Sequence, residues 1–305
     1  MTSDSKFNSE LSRRKLLAAV GIGGGAVVAA SFFGTGAAQA EHEGEGQRSA
    51  SPSLDPVTTP PVAGLHLQFG ADPSAEMVAS WLTLQPVGRP RVLLGTLDGE
   101  LEHVVDAEET SYTDAKSGQA VFVYHAKLRG LDDDETYLYA ALHDGAEPQF
   151  GTFRTAPRGR APFTFTSFGD QGTPTLGKLF VPPPGVTLPS PPFVNDNLGA
   201  PAGADTTLGV ERLRPLFHLL NGDLCYANLA TDRVRTWWDF WANNSRSARN
   251  RPWMPCAGNH ENELGNGPIG YQAYQTYFSV PPAGGQTDVT RGLWYAFTAG
   301  SVRVI

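Results

Sequence analysis

LFHLLNGDLCYAN, residues 216–228, shows the pattern that predicts the fold of the second half of this chain. A short apolar run that ends in Asn-Gly-Asp is typical of a buried strand that stops at a tight turn. The same pattern recurs in FTFTSFGD, residues 163–170, and in RPWMPCAGNHE, residues 251–261. Crossover segments separate the three runs, and strands that alternate with crossovers predict an α/β domain built on a parallel sheet.

Each of the three predicted strands ends in a glycine that is followed at once by a side chain able to bind a metal. These side chains are Asp170, Asp223, and Asn259 together with His260. Because the carboxyl ends of parallel strands line one edge of a sheet, we expect the four residues to converge there. One such turn alone also fits an ordinary loop, but three of them in this order favour a metal site.

Tyr226 lies three residues after Asp223, so both side chains leave the strand end within one loop. Carboxylate, amide and phenol oxygens suit a hard, highly charged cation. A tyrosine has an ordinary pKa of about 10, so at neutral pH it binds a metal only where a strong Lewis acid displaces its proton. The pattern therefore favours ferric iron over Mg²⁺ or Ca²⁺.

Between the second and third of these strands, TDRVRTWWDFWANNS, residues 231–245, predicts an amphipathic helix. Thr231 or Asp232 is the expected N-cap. One face of the helix carries large apolar side chains, which predicts that they are buried in the core: Val234, Trp237, Trp238 and Trp241. His218, inside the preceding strand, is interpreted as a core or sheet-face histidine.

Residues 61–157 carry a different pattern, in which apolar and polar residues alternate over short runs such as GLHLQF, MVASWLTL and TYLYAAL. About seven short strands within roughly a hundred residues predict a β-sandwich, which resembles a fibronectin type III module. Leu131 and Tyr137 flank an acidic turn before the last of these runs. The histidines of this region are scattered and are predicted to be structural or exposed: His66, His103, His125 and His143.

The first 40 residues are predicted to be an export signal rather than part of the fold. SRRKLL, residues 12–17, precedes a weakly apolar Gly/Ala-rich stretch and then AQA, residues 38–40, which resembles a twin-arginine signal. An uncleaved membrane anchor is the alternative. Residues 41–60 are expected to form a flexible leader. The protein would then act outside the cell or in the periplasm, without stable membrane insertion after signal cleavage.

The net charge of −8 excludes a basic field that would collect nucleic acid or acidic lipid. The two cysteines, Cys225 and Cys256, are too few for a disulfide framework. A single bond between them and two buried free thiols are the alternatives. FVPPPGVTLPSPPFVNDN, which covers the insertion at 181–197, is too proline-dense to predict regular structure and is a candidate lid over the site.

Together, GDQG (169–172), GDLCYAN (222–228) and GNHE (258–261) resemble the first three motif blocks of the purple acid phosphatases, within the calcineurin-like metallophosphoesterases. The preceding sandwich is similar to the accessory domain of those enzymes. The resemblance spans about residues 60–305. It implies a fibronectin III-like sandwich followed by a two-sheet metallophosphoesterase domain flanked by helices, of which residues 160–305 would form the N-terminal part.

The resemblance also implies roles for the candidate residues. Asp170 and Tyr226 would bind Fe³⁺, Asp223 would bridge two metals, and Asn259 would bind a second, divalent ion (Fe, Zn or Mn). His260 would hold a phosphoryl oxygen and assist the leaving group. The implied reaction is hydrolysis of small phosphate monoesters by a metal-bound hydroxide, since paired cations stabilise both the attacking and the leaving oxygen.

The family pattern also has later blocks that supply three histidines, and no histidine follows His260 in this sequence. We therefore expect a fragment or a truncated product that is inactive by itself. One alternative is a metallophosphoesterase that acts on diesters or nucleotides with Mn or Zn in both positions. Another is a cell-surface binding module in which the sandwich is the working part and the α/β half is vestigial.

Overall fold

The computed structural model describes residues 57–173, 178–179, 184–185, 193–194 and 202–305. The predicted export signal, residues 41–56 of the predicted leader and most of the insertion at 181–197 lie outside the described residues. Within the described part of the chain, no helix is both long and apolar enough to cross a membrane.

The first half of the described chain is a sheet of seven antiparallel strands, the number that the sequence predicts. They are β1 (Ala63–Phe69), β2 (Glu76–Thr83), β3 (Arg91–Thr96), β4 (His103–Thr113), β5 (Ala120–Arg129), β6 (Thr136–Leu142) and β7 (Gln149–Arg154). Their order across the sheet is β1-β2-β5-β4-β3-β6-β7.

Strand β4 divides this sheet into two parts. Residues 103–106 pair with β3, whereas residues 107–113 pair with β5. Both parts contribute side chains to one buried cluster, among them Trp81 and Tyr124 from one part and Tyr139 and Phe153 from the other. The sheet is therefore folded over a shared apolar core, as in a β-sandwich.

Polar groups of this region have structural roles. The hydroxyl of Tyr137 accepts a hydrogen bond of 2.8 Å from the backbone N–H of Asp132, which is the tyrosine-corner arrangement of sandwich domains. His66, His125 and His143 are buried and hydrogen-bonded. His103 is exposed at the start of β4. The prediction that these four histidines are structural or exposed is confirmed.

The second half contains a three-stranded parallel sheet of order β12-β11-β8. Its strands are β8 (Phe165–Phe168), β11 (Phe217–Leu220) and β12 (Trp253–Pro255). Helix α1 (Ala202–Glu211) precedes β11, and helix α2 (Arg233–Ala248) connects β11 to β12. Helix α3 (Gln272–Tyr277) and the antiparallel pair β13 (Phe297–Ala299) and β14 (Val302–Val304) follow. The parallel sheet with crossovers agrees with the sequence pattern.

A short strand β10 (Phe193–Val194) pairs antiparallel with β9 (Lys178–Leu179). Because β10 lies inside the proline-rich insertion, the prediction that this segment lacks regular structure is wrong at these two residues. A strand pair of this length requires only two residues free of proline on each side.

Helix α2 belongs to the second half and packs against the first. Asp232, one of the two predicted N-caps, accepts a hydrogen bond of 2.8 Å from the backbone N–H of Arg235. Trp237 and Trp241 are fully buried as predicted, whereas Trp238 is only partly buried. The ring of Trp241 stacks on His66 of β1 with 3.9 Å between the ring centroids. The seven-stranded sheet and the parallel sheet therefore share packing surface rather than standing apart.

Candidate metal centre

The three predicted loops leave the parallel sheet at the same level. The last residue of β11, Leu220, pairs with Phe168 on one side and with Pro255 on the other. Phe168 and Pro255 are also the last residues of their strands, β8 and β12. The loops after β8, β11 and β12 therefore begin side by side. The tertiary structure thus places all three loops at one edge, as the topology of a parallel sheet requires.

Two glycines allow the loops after β11 and β12 to touch. A methyl group added to Gly258 would lie 2.3 Å from Oδ1 of Asp223, and one added to Gly222 would lie 2.7 Å from the backbone of Gly258. Gly222 also has a φ of 81°, in the left-handed region that favours glycine. The two loops therefore approach each other backbone to backbone, at a distance that no side chain permits.

The candidate ligands themselves have unusual backbone conformations. Asp170, Asp223 and Tyr226 have φ values of 52°, 52° and 60°, and they are three of the six non-glycine residues with positive φ in the described part of the chain. A left-handed conformation costs an L-residue about 1–2 kcal/mol. Such strain persists where the surrounding structure imposes it, and it concentrates at functional sites.

The side chains of this edge form a connected set. The hydroxyl of Tyr226 donates to Oδ1 of Asp170 over 2.5 Å. Oδ1 of Asp223 accepts a hydrogen bond of 2.9 Å from the backbone N–H of His260. The His260 ring lies against the Tyr226 ring, with 4.3 Å between centroids. Asn259 begins the 3₁₀ turn Asn259–Glu261, and its side chain is exposed.

Negative charge dominates the electrostatics around Tyr226. Burial raises the pKa of the Tyr226 phenol above its usual value, and the hydrogen bond with Asp170 and the charges of Asp170, Asp223 and Glu261 raise it further. A cation among the same groups acts in the opposite direction, because it stabilises a phenolate. The donor set therefore fits a hard cation beside the pair formed by Asp170 and Tyr226.

Among the described residues, no cluster of three or more His, Cys, Asp and Glu side chains lies close enough to hold a metal. At this edge two of the donors are instead a phenol and an amide, and the direct side-chain contact between candidate ligands is the one that joins Tyr226 to Asp170. Asp223 and Asn259 lie on the two neighbouring loops. The described part of the chain thus brings together donors for a cation without completing a carboxylate and imidazole cage.

Glu261, the last residue of GNHE, also lies at this edge. The Glu261 carboxylate is buried and accepts hydrogen bonds from the backbone N–H groups of Gly258, Asp223 and Leu224, over 2.7, 2.8 and 2.7 Å. A glutamate three residues after the residue that opens a turn is half of a capping box, and that spacing was the available signal.

His218 and the cysteines lie outside this set. His218 is buried and hydrogen-bonded to Thr166 at 2.6 Å and to Glu211 at 2.8 Å, so its predicted structural role is confirmed. Cys225 and Cys256 are both free, which excludes the disulfide alternative in this structure. Cys225 is buried as expected, but Cys256 is exposed, so the expectation of two buried thiols is wrong for Cys256.

Comparisons with known proteins identify similar sequences and a similar fold. The family described as purple acid phosphatase, N-terminal domain, matches residues 62–156. An uncharacterized protein of Mycobacterium tuberculosis is 60% identical over 246 residues, which are 81% of this chain and 45% of that protein. A purple acid phosphatase of Glycine max is 25% identical over 253 residues, which are 79% of this chain and 47% of the soybean protein.

The fold is also similar to that of a solved structure. The purple acid phosphatase PPD1 from yellow lupin seeds superimposes with a TM-score of 0.56 at 20% identity, over 80% of this chain and 44% of the lupin chain. The chain spans about half the length of the curated relatives that it matches. The N-terminal match and the sequence relatives support a purple acid phosphatase-like family for this chain, and the shared fold agrees with it.

Proposed function

We propose that this chain carries metal ligands of an acid phosphatase that hydrolyses small phosphate monoesters. The family relationship indicates a metallophosphoesterase-type hydrolase. The observation that carries the finer proposal is the contact between Tyr226 and Asp170 at the carboxyl edge of the parallel sheet, with Asp223 on the adjoining loop. A phenol beside carboxylates is a donor set for a strong Lewis acid rather than for Mg²⁺ or Ca²⁺.

In this proposal Asp170, Tyr226 and Asp223 would hold Fe³⁺, and Asp223 and Asn259 would hold a divalent ion (Fe, Zn or Mn). Bound metals would polarise the phosphoryl oxygens and activate water for an in-line displacement. The left-handed conformations of Asp170, Asp223 and Tyr226 support these roles, because they turn three donors out of regular strand geometry at one edge.

His260 is suited to act on the substrate rather than on the metal. Its backbone N–H is held by Asp223, and its ring packs on Tyr226. Nδ1 lies 2.9 Å from Oδ1 of Asn228, an acceptor, so Nδ1 carries the hydrogen of that bond. Nε2 has no protein partner among the described residues. In the protonated ring Nε2 also carries a hydrogen, and this is the N–H left to contact a phosphoryl oxygen or to pass a proton to the leaving group.

The proposal extends to the rest of the chain. The seven-stranded domain would be a fibronectin III-like accessory domain at residues 61–157, and residues 160–305 would belong to a two-sheet metallophosphoesterase domain. Twin-arginine export would place the protein outside the cell or in the periplasm. The negative net charge supports a small phosphate ester, rather than nucleic acid, as the partner.

Loading the complete gene product with Fe³⁺ tests the proposed site. We expect bound iron and a visible absorption band from the phenolate of Tyr226, which Tyr226→Phe removes. Tyr271→Phe is the matched control, because the Tyr271 hydroxyl faces the carbonyl of Gly258 at 3.4 Å and is not a proposed ligand. An iron-free protein, or a band that survives Tyr226→Phe, would overturn the assignment.

The substrate class is tested separately with the same preparation. Rates with p-nitrophenyl phosphate and with bis(p-nitrophenyl) phosphate compare a monoester with a diester that has the same leaving group. We expect a higher kcat/KM for the monoester. A preference for the diester would replace the monoesterase proposal with the diesterase alternative while leaving the metal site intact.

A further inference from the structure

Three backbone N–H groups from two different loops converge on one buried carboxylate, that of Glu261. Oε2 accepts from Gly258 at 2.7 Å and from Asp223 at 2.8 Å, while Oε1 accepts from Leu224 at 2.7 Å. Glu261 is 1% exposed. Gly258 belongs to the loop after β12, and the other two donors belong to the loop after β11, so the carboxylate joins the two loops.

Both oxygens of Glu261 are thus occupied by backbone donors. The N–H groups of Asp223 and Leu224 are consecutive, and the left-handed turn at Asp223 points them toward the same anion, as in a backbone nest. The strand ladder ends at Leu220, so sheet pairing does not satisfy these amides. Without the carboxylate, these three N–H groups, of which that of Leu224 is buried, would lose their acceptor.

Glu263 shows that burial alone does not produce this arrangement. It lies two residues further along and is equally buried. Its Oε1 accepts from Nε1 of Trp237 at 2.6 Å, and its Oε2 accepts from Nδ2 of Asn266 at 2.8 Å. Both partners of Glu263 are side chains away from the sheet edge, whereas every partner of Glu261 is backbone of a loop that carries a candidate ligand.

We propose that Glu261 is a positioning residue that sets the separation of the Asp223 loop from the loop of Asn259 and His260. Gly258 and Asp223 are in close contact, so these loops cannot move independently. A change at the Glu261 carboxylate should therefore shift Asp223 relative to Asn259 and His260. The inference rests on the proposed metal site, and it assigns to Glu261 control of that site without contact with the cation.

The substitution Glu261→Gln tests this role, because it keeps the side-chain volume but turns one acceptor oxygen into an amide donor that faces a backbone N–H. Glu263→Gln is the matched control. Three measurements apply to both variants and to the unchanged protein: Fe³⁺ affinity, with the ion supplied as its nitrilotriacetate complex; the melting temperature; and hydrogen exchange of the amides of Gly258, Asp223 and Leu224.

For Glu261→Gln we expect Fe³⁺ affinity to fall about 10- to 100-fold, as is usual when a group that orients metal ligands is changed. The three amides should exchange faster. Glu263→Gln should lower the melting temperature but leave Fe³⁺ affinity and the three amides unchanged. This split separates positioning from a general loss of stability.

Unchanged Fe³⁺ affinity in Glu261→Gln would overturn the inference, and so would an equal loss in Glu263→Gln. If Glu261→Gln does not fold, Glu261→Asp, which keeps the charge but is one methylene shorter, is read by the same criteria. Failure of the unchanged protein to bind Fe³⁺ would count against the proposed function instead. In that case faster exchange in Glu261→Gln alone would still support the positioning of the loops, and unchanged exchange would refute it.

Discussion

The seven-stranded sheet and the carboxyl edge of the parallel sheet hold their backbones in different ways. In β1–β7, strands of six to eleven residues satisfy their amides through antiparallel ladders. At the parallel edge the strands have only three or four residues, and three of the amides beyond them donate to the single carboxylate of Glu261. Many equivalent backbone hydrogen bonds stabilise the seven-stranded sheet, whereas the edge of the parallel sheet depends on a few hydrogen bonds to one side chain.

The two regions also differ in where their left-handed non-glycine residues lie. Around the seven-stranded sheet, left-handed non-glycine residues such as Arg89 and Asp134 lie in connecting turns. At the parallel edge, Asp170, Asp223 and Tyr226 are themselves the candidate ligands. Half of the left-handed non-glycine residues in the described chain are therefore candidate donors, which agrees with the tendency of backbone strain to occur at functional sites.

The largest expected effect would come from Trp241→Ala, which removes a fully buried ring between the two regions. We expect the free energy of unfolding to fall by about 3–5 kcal/mol, because the surrounding side chains cannot fill the cavity. Urea denaturation followed by circular dichroism and by fluorescence measures the loss.

Trp294→Ala, at a tryptophan that is 46% exposed, is the control and should cost less than about 1 kcal/mol. Coincident transitions are expected, since α2 packs on β1. Two separate transitions in the unchanged protein would mean that the sheets are stabilised independently.

Gly258→Ala tests the close contact of the edge loops. The new methyl group would lie 2.3 Å from Oδ1 and 2.6 Å from the backbone N of Asp223, so the loops must separate. We expect a loss of about 1–3 kcal/mol in the free energy of unfolding, together with weaker Fe³⁺ binding.

Gly209→Ala is the control for Gly258→Ala, because Gly209 lies in α1 with no atom within 4 Å of its added methyl group. That variant should gain up to about 1 kcal/mol from helix propensity. Equal stability changes in the two variants would show that the edge is no more tightly fitted than an exposed helix.

Acid should destabilise the seven-stranded region through His125. Burial lowers the pKa of His125 to about 3, whereas the unfolded chain has the ordinary value of about 6.5. Between these values the unfolded chain binds a proton that the folded chain does not, so the free energy of unfolding falls as the pH falls. The expected contribution is about 1.4 kcal/mol per pH unit.

Urea midpoints measured between pH 7 and pH 5 check this slope. His125→Gln should reduce the slope by about 1.4 kcal/mol per pH unit. The rest of the slope remains, because burial also lowers the pKa of His66 to about 4. His103→Gln, at an exposed position, should leave the slope as it is. Parallel slopes for all three proteins would contradict the assignment to His125.

The smallest change in stability is expected for two glycine variants, which distinguish relief of backbone strain from loss of a metal ligand. Asp170→Gly and Asp134→Gly both relieve a left-handed conformation, with φ of 52° and 58°. Relief of about 1–2 kcal/mol is partly offset by about 0.5–1 kcal/mol of added chain entropy, so Asp134→Gly should gain less than about 1 kcal/mol. Asp170→Gly should gain less than Asp134→Gly, because it also removes the acceptor of the Tyr226 hydroxyl. The exposed ion pair of Asp134 with Arg154 contributes little to this balance.

Only Asp170→Gly should lose Fe³⁺ affinity and the Tyr226 absorption band. Chemical denaturation and metal titration of both variants provide the comparison. If Asp134→Gly weakened Fe³⁺ binding as much as Asp170→Gly, the candidate ligand role of Asp170 would be refuted.

The amino-acid sequence alone is enough to predict the pattern of strands and the positions of the donors. Apolar alternation along residues 61–157 predicted the seven-stranded sheet, and three apolar runs that end in glycine predicted the parallel one. The donors Asp170 and Asp223 were identifiable because each directly follows a strand, and parallel topology brings strand ends to one edge whatever lies between them. Both predictions use only the local periodicity of apolar residues and the rule that parallel strands end at the same edge of a sheet.

How the donors are held could not be predicted from the sequence, because it depends on contacts between distant segments. The amide partners of Glu261 in the Asp223 loop are 37 and 38 residues away in the chain, and the ring that stacks on Trp241 of α2 is His66 of the seven-stranded sheet. The division of β4 between two partners and the pairing of Phe193–Val194 are likewise long-range choices. A sequence pattern reports which side chains prefer burial, but a hydrogen bond between distant loops exists only once packing has fixed the distance between them.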